Sequence, residues 1–390
     1  MSAHFSPPQS SLFLLTITFL CYTQACQQNH SSDTYLSPVV PELLEDVGTE
    51  VIIPSLAVFQ DELFGLQDSL ENPSANDITL IQEQWKSTMK VWQRLEMMQI
   101  GPIGSSITAV GGMNYRDEIY SWPLTDGCSI HRHLIEESWN QESFFTENQV
   151  YAYGMDAIEH LLFSDISICP SSDPLIADGI WEAQDPETIT QRKFEFARAL
   201  CSQLQIHTTT LISMWSPEEG DFVGKLAQTN SSSPYASPQQ ALNAVYDSLF
   251  YLEIITKDQK LAQPLGMKNC SQDLCLEDLE GRMSQQSLSN IIENIHGFRL
   301  LFTGGEGIGF DDLLIDLGHA ELAEQILSDI DSTLLLSEQL EGPLDELLLD
   351  RKELVLAFYY SLRNVTTALK VDLAMILAMT IPAQAAGDLD

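Results

Sequence analysis

Apolar side chains recur every three or four residues over long stretches of this chain of 390 residues. The clearest case is the stripe formed by Leu288, Ile291, Ile292, Ile295, Phe298 and Phe302. Such spacing puts the apolar side chains on one face of an α-helix, and the alternation that is typical of a strand is almost absent. Helices of this kind bury their stripes against each other, so the sequence predicts an all-α protein made of helical bundles.

Polar, turn-rich segments divide the predicted helices into two halves. We predict a signal peptide at 1–25, a polar tether at 26–38, an N-terminal half at 39–237 and a C-terminal half at 238–390, with 216–237 as the linker. The longest predicted helices are 43–69, 78–100, 148–163, 190–215, 238–257, 321–340 and 344–379, and the longest predicted loops are 101–127, 164–188 and 258–284.

The first 26 residues have the features of an export signal. Residues 12–20 form an apolar run that is too short to span a bilayer. It is followed by Ala25 and Cys26, an arrangement similar to a lipobox, in which Cys26 becomes lipidated after cleavage. Gln27 after the cysteine favours the outer membrane, by analogy with bacterial sorting rules. Plain cleavage after Ala25, which would give a soluble periplasmic protein, is the alternative.

The charge of the chain restricts its partners. It has 56 acidic and 18 basic residues, a formal net charge of −38. Such a field repels nucleic acid and anionic lipid head groups, so we expect no nucleic-acid partner and contact with a membrane only through a lipid anchor. It attracts cations and basic proteins, although solubility or a salty habitat also explains such a charge.

The cysteines fit an oxidising compartment, where disulfides are expected. Cys270 and Cys275 flank four residues of a polar loop, which favours a local bridge. Cys128 and Cys169 lie in loops on either side of a helical stretch and can form a second bridge. Cys201 lies among apolar residues of a predicted helix, so a buried free thiol is expected there.

Several separated blocks resemble the imelysin-like family. Residues 92–102 (WQRLEMMQIGP) resemble its W…E-x-x-x-x-G-P block, and residues 153–163 (YGMDAIEHLLF) resemble its signature helix. Further similar blocks lie at 116–128, 289–298, 302–311 and 387–390. The resemblance implies two helical-bundle halves with approximate internal pseudo-symmetry and a site near their interface. It also implies a cell-envelope location and a link to iron acquisition, while a general peptidase mechanism does not follow from the family's peptidase name.

The signature helix carries the main candidate metal ligands. Many members of the family have G-x-H-x-x-E, whereas this chain has Asp156 in place of the histidine, between Gly154 and Glu159. Asp156 and Glu159 share a helix face, and His160 adds a nitrogen one turn after Asp156. This set suits iron, manganese or calcium better than zinc. A solvated polar face is the alternative reading.

Two other residues are singled out by their surroundings. Glu96 lies in an apolar helix, and the resemblance places it at a family position, so it is a fourth metal ligand, one partner of a salt bridge, or a helix cap. Gly154 is predicted inside a helix, where glycine is unfavourable by about 1 kcal/mol. Close helix packing is the preferred explanation for that glycine, and a functional kink is the alternative.

Three functions remain open at this point. The preferred hypothesis is an exported envelope protein that binds iron or another divalent metal and works with iron-uptake components of the envelope. A metal-dependent peptidase is the alternative, although the chain contains no HExxH motif and lacks the family histidine. A non-enzymatic interaction scaffold is the third.

Overall fold

Helices that pack through their apolar stripes form the fold. The computed structural model describes residues 37–71, 78–228 and 231–386, and no strand occurs within these ranges. The prediction of an all-α protein is confirmed. The internal pseudo-symmetry of the two halves stays a prediction. The predicted signal peptide, the lipidation site Cys26, most of the tether and the C-terminal block 387–390 lie outside the described residues.

The N-terminal part of the fold extends to residue 227. Its α-helices are α1 Val40–Asp46, α2 Ile53–Glu71, α3 Ile78–Glu96, α4 Tyr115–Ile119, α5 Gly127–Glu136, α6 Phe144–Glu147, α7 Met155–Phe163, α8 Pro174–Ala177, α9 Pro186–Trp215 and α10 Phe222–Ala227. A π-helical turn at Val47–Ile52 joins α1 to α2. Short 3-10 turns occur at Gly101–Ile103, Ser138–Asn140, Val150–Ala152 and Ile166–Ile168.

The C-terminal part begins at residue 238. Its α-helices are α11 Pro238–Leu249, α12 Ser287–Thr303, α13 Phe310–Asp316, α14 Ala320–Ser337, α15 Leu344–Asp350, α16 Lys352–Ala368, α17 Ala374–Ile376 and α18 Ala383–Ala386. After α11 the chain continues as a π-helical segment at Leu252–Ala262, and a second one at Leu369–Leu373 follows α16. A 3-10 turn lies at Leu276–Asp278.

One continuous core joins the two parts. The apolar stripe of α3 packs against α2, and α2 packs against α9. Helix α12 lies along α3, and the Cβ of any larger residue at Gly297 would come within 2.3 Å of the backbone oxygen of Arg94. Gly297 therefore permits the close approach that brings α3 and α12 together. Polar residues at the end of α3 and in the first half of α12 form part of the candidate site.

The first part of the predicted linker 216–237 is packed against the core. It contains α10, whose Phe222 ring lies 4.8 Å from the ring of Trp215. Phe222 also covers Gly101, which has a positive φ of 51° and leaves no room for a larger residue. The last part of the predicted tether is fixed as well, because the hydroxyl of Ser37 donates a hydrogen bond of 2.5 Å to Asp316.

The predictions of two disulfides and one buried free thiol are confirmed. Disulfides join Cys128 to Cys169 and Cys270 to Cys275, and Cys201 is a buried free thiol. In the part of the chain that the structure describes, no helix is both long and apolar enough to cross a bilayer.

Several helix boundaries differ from the sequence prediction, and two of these differences affect the site. Helix α7 begins at Met155, so the prediction that Gly154 lies inside a helix is wrong. Gly154 precedes the helix with a φ of 103°, and a Cβ there would meet the backbone oxygen of Ile119 at 2.8 Å. The predicted loop 258–284 is also wrong at its start, because the π-helical segment continues to Ala262 and carries Lys260 into the core.

Candidate functional site

The candidate site is a buried polar cluster between the two parts of the fold. Helices α3, α4 and α7 contribute residues from the N-terminal part, and the π-helical segment 252–262 and α12 contribute residues from the C-terminal part. Two irregular segments, 120–126 and 279–286, complete it. Polar groups that are buried in this way are stable only if they form hydrogen bonds or ion pairs, or if they bind a ligand.

Glu96, the last residue of α3, is neutralised by two cations. Its Oε1 accepts hydrogen bonds from Arg116 Nε at 3.0 Å and Nη2 at 2.7 Å, and its Oε2 accepts one from Lys260 Nζ at 3.0 Å. Burial alone would raise the pKa of Glu96, but Lys260 and Arg116 outweigh burial and hold the pKa below its ordinary value. Of the roles predicted for Glu96, the structure therefore shows the salt bridge.

Lys260 is itself surrounded by oxygens. Its buried ammonium lies 2.6 Å from Gln93 Oε1, 2.9 Å from Asn294 Oδ1 and 2.9 Å from Glu280 Oε1, in addition to Glu96. We call Gln93, Glu96, Glu280 and Asn294 the lysine cage. The cage draws residues from α3, α12 and the segment before α12, so it links the two parts of the fold through charge as well as through apolar packing.

Asp156, in the first turn of α7, is fully buried without a cation. Its Oδ2 accepts hydrogen bonds from the hydroxyls of Ser121 at 2.6 Å and Thr125 at 2.5 Å. Its Oδ1 is buried and has no hydrogen-bond partner among the described residues. Burial raises the pKa of Asp156, and the two hydroxyl donors together with the backbone N–H groups of Asp156 and Ser121 only partly offset that effect.

Glu159 is the second buried carboxylate of α7. Its Oε1 accepts hydrogen bonds from the backbone nitrogen of Ser284 at 3.1 Å and from the Ser284 hydroxyl at 2.7 Å. Burial raises the pKa of Glu159 to about 7, and the nearby carboxylates of Glu280 and Asp156 add to the effect. A carboxyl group with a pKa near 7 loses its proton readily when a cation binds next to it.

Glu280 is a third carboxylate that the sequence analysis did not single out. Its Oε1 faces Lys260, whereas its Oε2 is buried without a partner in the described part of the chain. Glu280 lies in a predicted loop with no helical spacing, so its position could not be inferred from the sequence. We call Asp156, Glu159 and Glu280 the acidic cluster.

Two further buried side chains lie near this cluster. Tyr120 is buried, and burial followed by the charges of Glu280 and Glu159 raises the pKa of its phenol well above the ordinary value. Asn290 is 1% exposed, and neither polar atom of its side chain has a hydrogen-bond partner within the described ranges. Its amide nitrogen lies against Gly281, next to the turn that positions Ser284.

His160 does not join the acidic cluster. Its ring packs against α5, where a Cβ on Gly127 would lie 2.6 Å from its Nδ1. Burial lowers the pKa of His160 to about 4, so the ring is neutral at pH 7. The prediction that His160 lies beside Asp156 and Glu159 is wrong, because the helix directs its side chain toward a different neighbour.

The four predicted ligands therefore do not form one preformed metal centre. Glu96 is occupied by Arg116 and Lys260, and His160 faces α5, which leaves Asp156 and Glu159 together. Across residues 37–71, 78–228 and 231–386, no three His, Cys, Asp or Glu side chains are placed to hold a metal ion together. The oxygens that are available are hard donors, which suit iron, manganese or calcium rather than softer metals.

Comparison with known proteins agrees with this architecture. The model of the imelysin family matches residues 63–367. This chain belongs to the imelysin family. The matched range includes all the residues of the lysine cage and of the acidic cluster. No curated protein matches the chain.

Solved structures show the same imelysin fold at low sequence identity. An imelysin-like protein from Psychrobacter arcticum has a TM-score of 0.67 at 17% identity, over 90% of this chain and 99% of that chain. A putative iron-regulated protein A precursor from Parabacteroides distasonis has a TM-score of 0.66 at 14% identity, over 89% of this chain and 97% of that chain. At these identities the likeness establishes the fold alone.

Proposed function

We propose that this imelysin family member is an exported cell-envelope protein that binds a metal cation at the acidic cluster and serves the acquisition of iron or another metal. The observation that carries the proposal is the imbalance of buried charge. Asp156 and Glu280 each have a buried oxygen without a partner in the described chain, and Glu159 has a pKa of about 7. Buried carboxylates of this kind are stabilised by a cation.

The chain's own residues would hold the cation with oxygen donors only. Ser121 and Thr125 fix one oxygen of Asp156, and Ser284 fixes one oxygen of Glu159, so the remaining oxygens are oriented by these contacts. A bound cation supplies the positive charge that the cluster lacks. Because the three carboxylates are not grouped closely enough as they stand, we expect binding to draw them together.

Location and partners form the other part of the proposal. The two disulfides fit an oxidising compartment, and the apolar run at 12–20 followed by Cys26 fits export with a lipid anchor. The protein would then reside in the bacterial periplasm or as a lipoprotein on the outer membrane, beside iron-uptake components. The net charge of −38 favours the attraction of cations. One of the similar structures is that of a putative iron-regulated protein A precursor from Parabacteroides distasonis.

A non-enzymatic scaffold is the second candidate, and one observation favours it. Glu96 is completely enclosed, and both of its oxygens are engaged by Arg116 and Lys260. An enclosed ion network of this kind can hold the two parts of the fold in register without binding any ligand.

The metal content of the natively purified protein distinguishes the two candidates. We would measure it by mass spectrometry beside the double variant Asp156→Asn/Glu159→Gln, which keeps the size of both side chains. Stoichiometric iron or manganese that is lost in the variant is the expected result. If neither protein contains metal, even after loading, the scaffold is favoured. If the natural chain hydrolyses unfolded proteins and the Glu159→Ala variant does not, the peptidase is favoured instead.

A further inference from the structure

The lysine cage resembles the coordination sphere of a bound cation. Four side-chain oxygens, from two carboxylates and two amides, lie within 3.0 Å of the Lys260 ammonium. An ammonium has only three N–H donors, so the cage offers more acceptors than Lys260 can satisfy with separate hydrogen bonds. The Nζ also lies 5.9 Å from the centre of the Trp122 ring and 5.6 Å from that of Tyr251, distances at which aromatic faces attract a cation.

Glu280 belongs both to the lysine cage and to the acidic cluster. Its Oε1 is 2.9 Å from Lys260 Nζ and 3.2 Å from Gln93 Nε2. Its Oε2 is buried without a partner in the described chain, and its charge acts on Glu159. Because Glu280 belongs to both groups, the positive charge of Lys260 offsets part of the negative charge that Glu280 contributes to the acidic cluster.

Asn290 supplies a further buried polar side chain beside the segment that carries Glu280. Asn290 is 1% exposed, and within the described ranges both of its side-chain polar atoms lack a hydrogen-bond partner. It lies against Gly281, the neighbour of Glu280. A buried amide of this kind costs stability unless a further group binds to it, so it points to a ligand at this place.

From these contacts we infer that Lys260 is an internal counter-ion that limits the affinity of the acidic cluster for an external cation, with Glu280 as the shared ligand. The inference rests on the proposed function and identifies the residues that set its affinity. While Lys260 is present, Oε1 of Glu280 is paired with its ammonium, which partly neutralises the Glu280 carboxylate. Removal of the ammonium leaves that charge to the acidic cluster, while Glu96 keeps its hydrogen bonds to Arg116.

The test is a titration of the chelator-treated full chain with Mn²⁺, in which the electron paramagnetic resonance signal of the free ion is measured at each addition. Lys260→Met removes the charge and keeps the length of the side chain. Lys257→Met is the matched control, because Lys257 is also fully buried on segment 252–262, and its ion-pair partners include Asp258 at 2.7 Å. We expect Lys260→Met to bind Mn²⁺ about tenfold more tightly than the natural chain, and Lys257→Met to bind it equally well.

The sign of the change separates this role from a structural one, because damage to the fold would weaken binding. If the natural chain binds Mn²⁺ and Lys260→Met binds it no more tightly, the inference is overturned and the proposed function stands. If only Lys260→Met binds, the inference stands and the proposed function of the natural chain is overturned. If neither binds, both are overturned.

A second variant keeps the inference testable if Lys260→Met does not fold, which its circular-dichroism melt would show. Glu280→Gln removes the shared charge and retains a hydrogen-bonding side chain in the cage. We expect Glu280→Gln to weaken Mn²⁺ binding about tenfold and Lys260→Arg, which keeps the positive charge, to leave it unchanged. Binding by Glu280→Gln that equals that of the natural chain would overturn the inference.

Discussion

Glu96 and Glu159 are buried to nearly the same extent in the same polar cluster, yet their charges are balanced in opposite ways. Glu96 has Arg116 and Lys260 as hydrogen-bonded cations, and its pKa is lowered. Glu159 has only Ser284 as a donor, and its pKa is raised to about 7 by burial and by neighbouring carboxylates. Burial alone therefore does not decide the role of a carboxylate. The difference in counter-ions assigns a structural role to Glu96 and a binding role to Glu159.

The largest expected effect is on stability, and it tests the structural side of this comparison. Glu96→Gln leaves Arg116 and Lys260 buried without their shared carboxylate. We expect a loss of about 3 kcal/mol in the free energy of unfolding. Glu159→Gln, the matched control, should change stability at pH 6 by less than about 1 kcal/mol, because the natural side chain is already largely protonated there. Urea denaturation of the metal-free proteins measures both, and equal losses would contradict the comparison.

The second prediction concerns the pH dependence of stability in metal-free protein. The pKa of Glu159 rises from 4.5 to about 7 on folding. Its stabilising contribution to the free energy of unfolding is therefore fully present below pH 4.5 and is lost as the pH rises through 7. Between pH 5 and pH 8 we expect this group to cost about 2 kcal/mol of unfolding free energy. In the Glu159→Gln variant, denaturation across the same pH range should show an unfolding free energy that no longer falls by this amount. An identical pH profile would show that Glu159 is not the titrating group.

The fold and the site could be predicted from the sequence to different degrees. Apolar stripes such as the one around Phe298 predict helices because helical spacing is a local property, and the cysteine pairs followed from spacing and compartment. Asp156 and Glu159 were identified as neighbours because they share a helix face. Glu280 and Lys260 were missed, because their position depends on packing between distant segments. His160 was misplaced because the spacing cannot show which helix a side chain will face.

A smaller effect is expected at the hydrogen bond that stabilises the charged form of Glu159. Ser284→Ala removes the hydroxyl donor at 2.7 Å and leaves the backbone donor at 3.1 Å. We expect a loss of about 1 kcal/mol at pH 8 and a further rise in the pKa of Glu159, which the midpoint of its pH–stability curve would report. Ser121→Ala, which affects Asp156 instead, is the control and should leave that midpoint in place.

The smallest expected effect is at His160, and it sharpens the boundary of the site. Its ring faces Gly127 and lies outside the acidic cluster. His160→Asn should therefore leave the Mn²⁺ affinity unchanged within about twofold, whereas Asp156→Asn should lower it at least about tenfold. Isothermal titration calorimetry of the two variants makes the comparison. If His160→Asn lost as much Mn²⁺ affinity as Asp156→Asn, the histidine would belong to the cation site.

The central claim is that the acidic cluster, and not another carboxylate-rich part of the molecule, binds the cation. Anomalous X-ray diffraction from crystals soaked in Mn²⁺ tests it most directly, because the signal locates the ion. The account predicts one strong peak among Asp156, Glu159 and Glu280. A surface groove lined by Glu324, Leu327, Ser328, Asp331, Ser332 and Leu335 provides a competing position. A peak only in that groove, or no peak at the acidic cluster in Mn²⁺-saturated crystals, would contradict the claim.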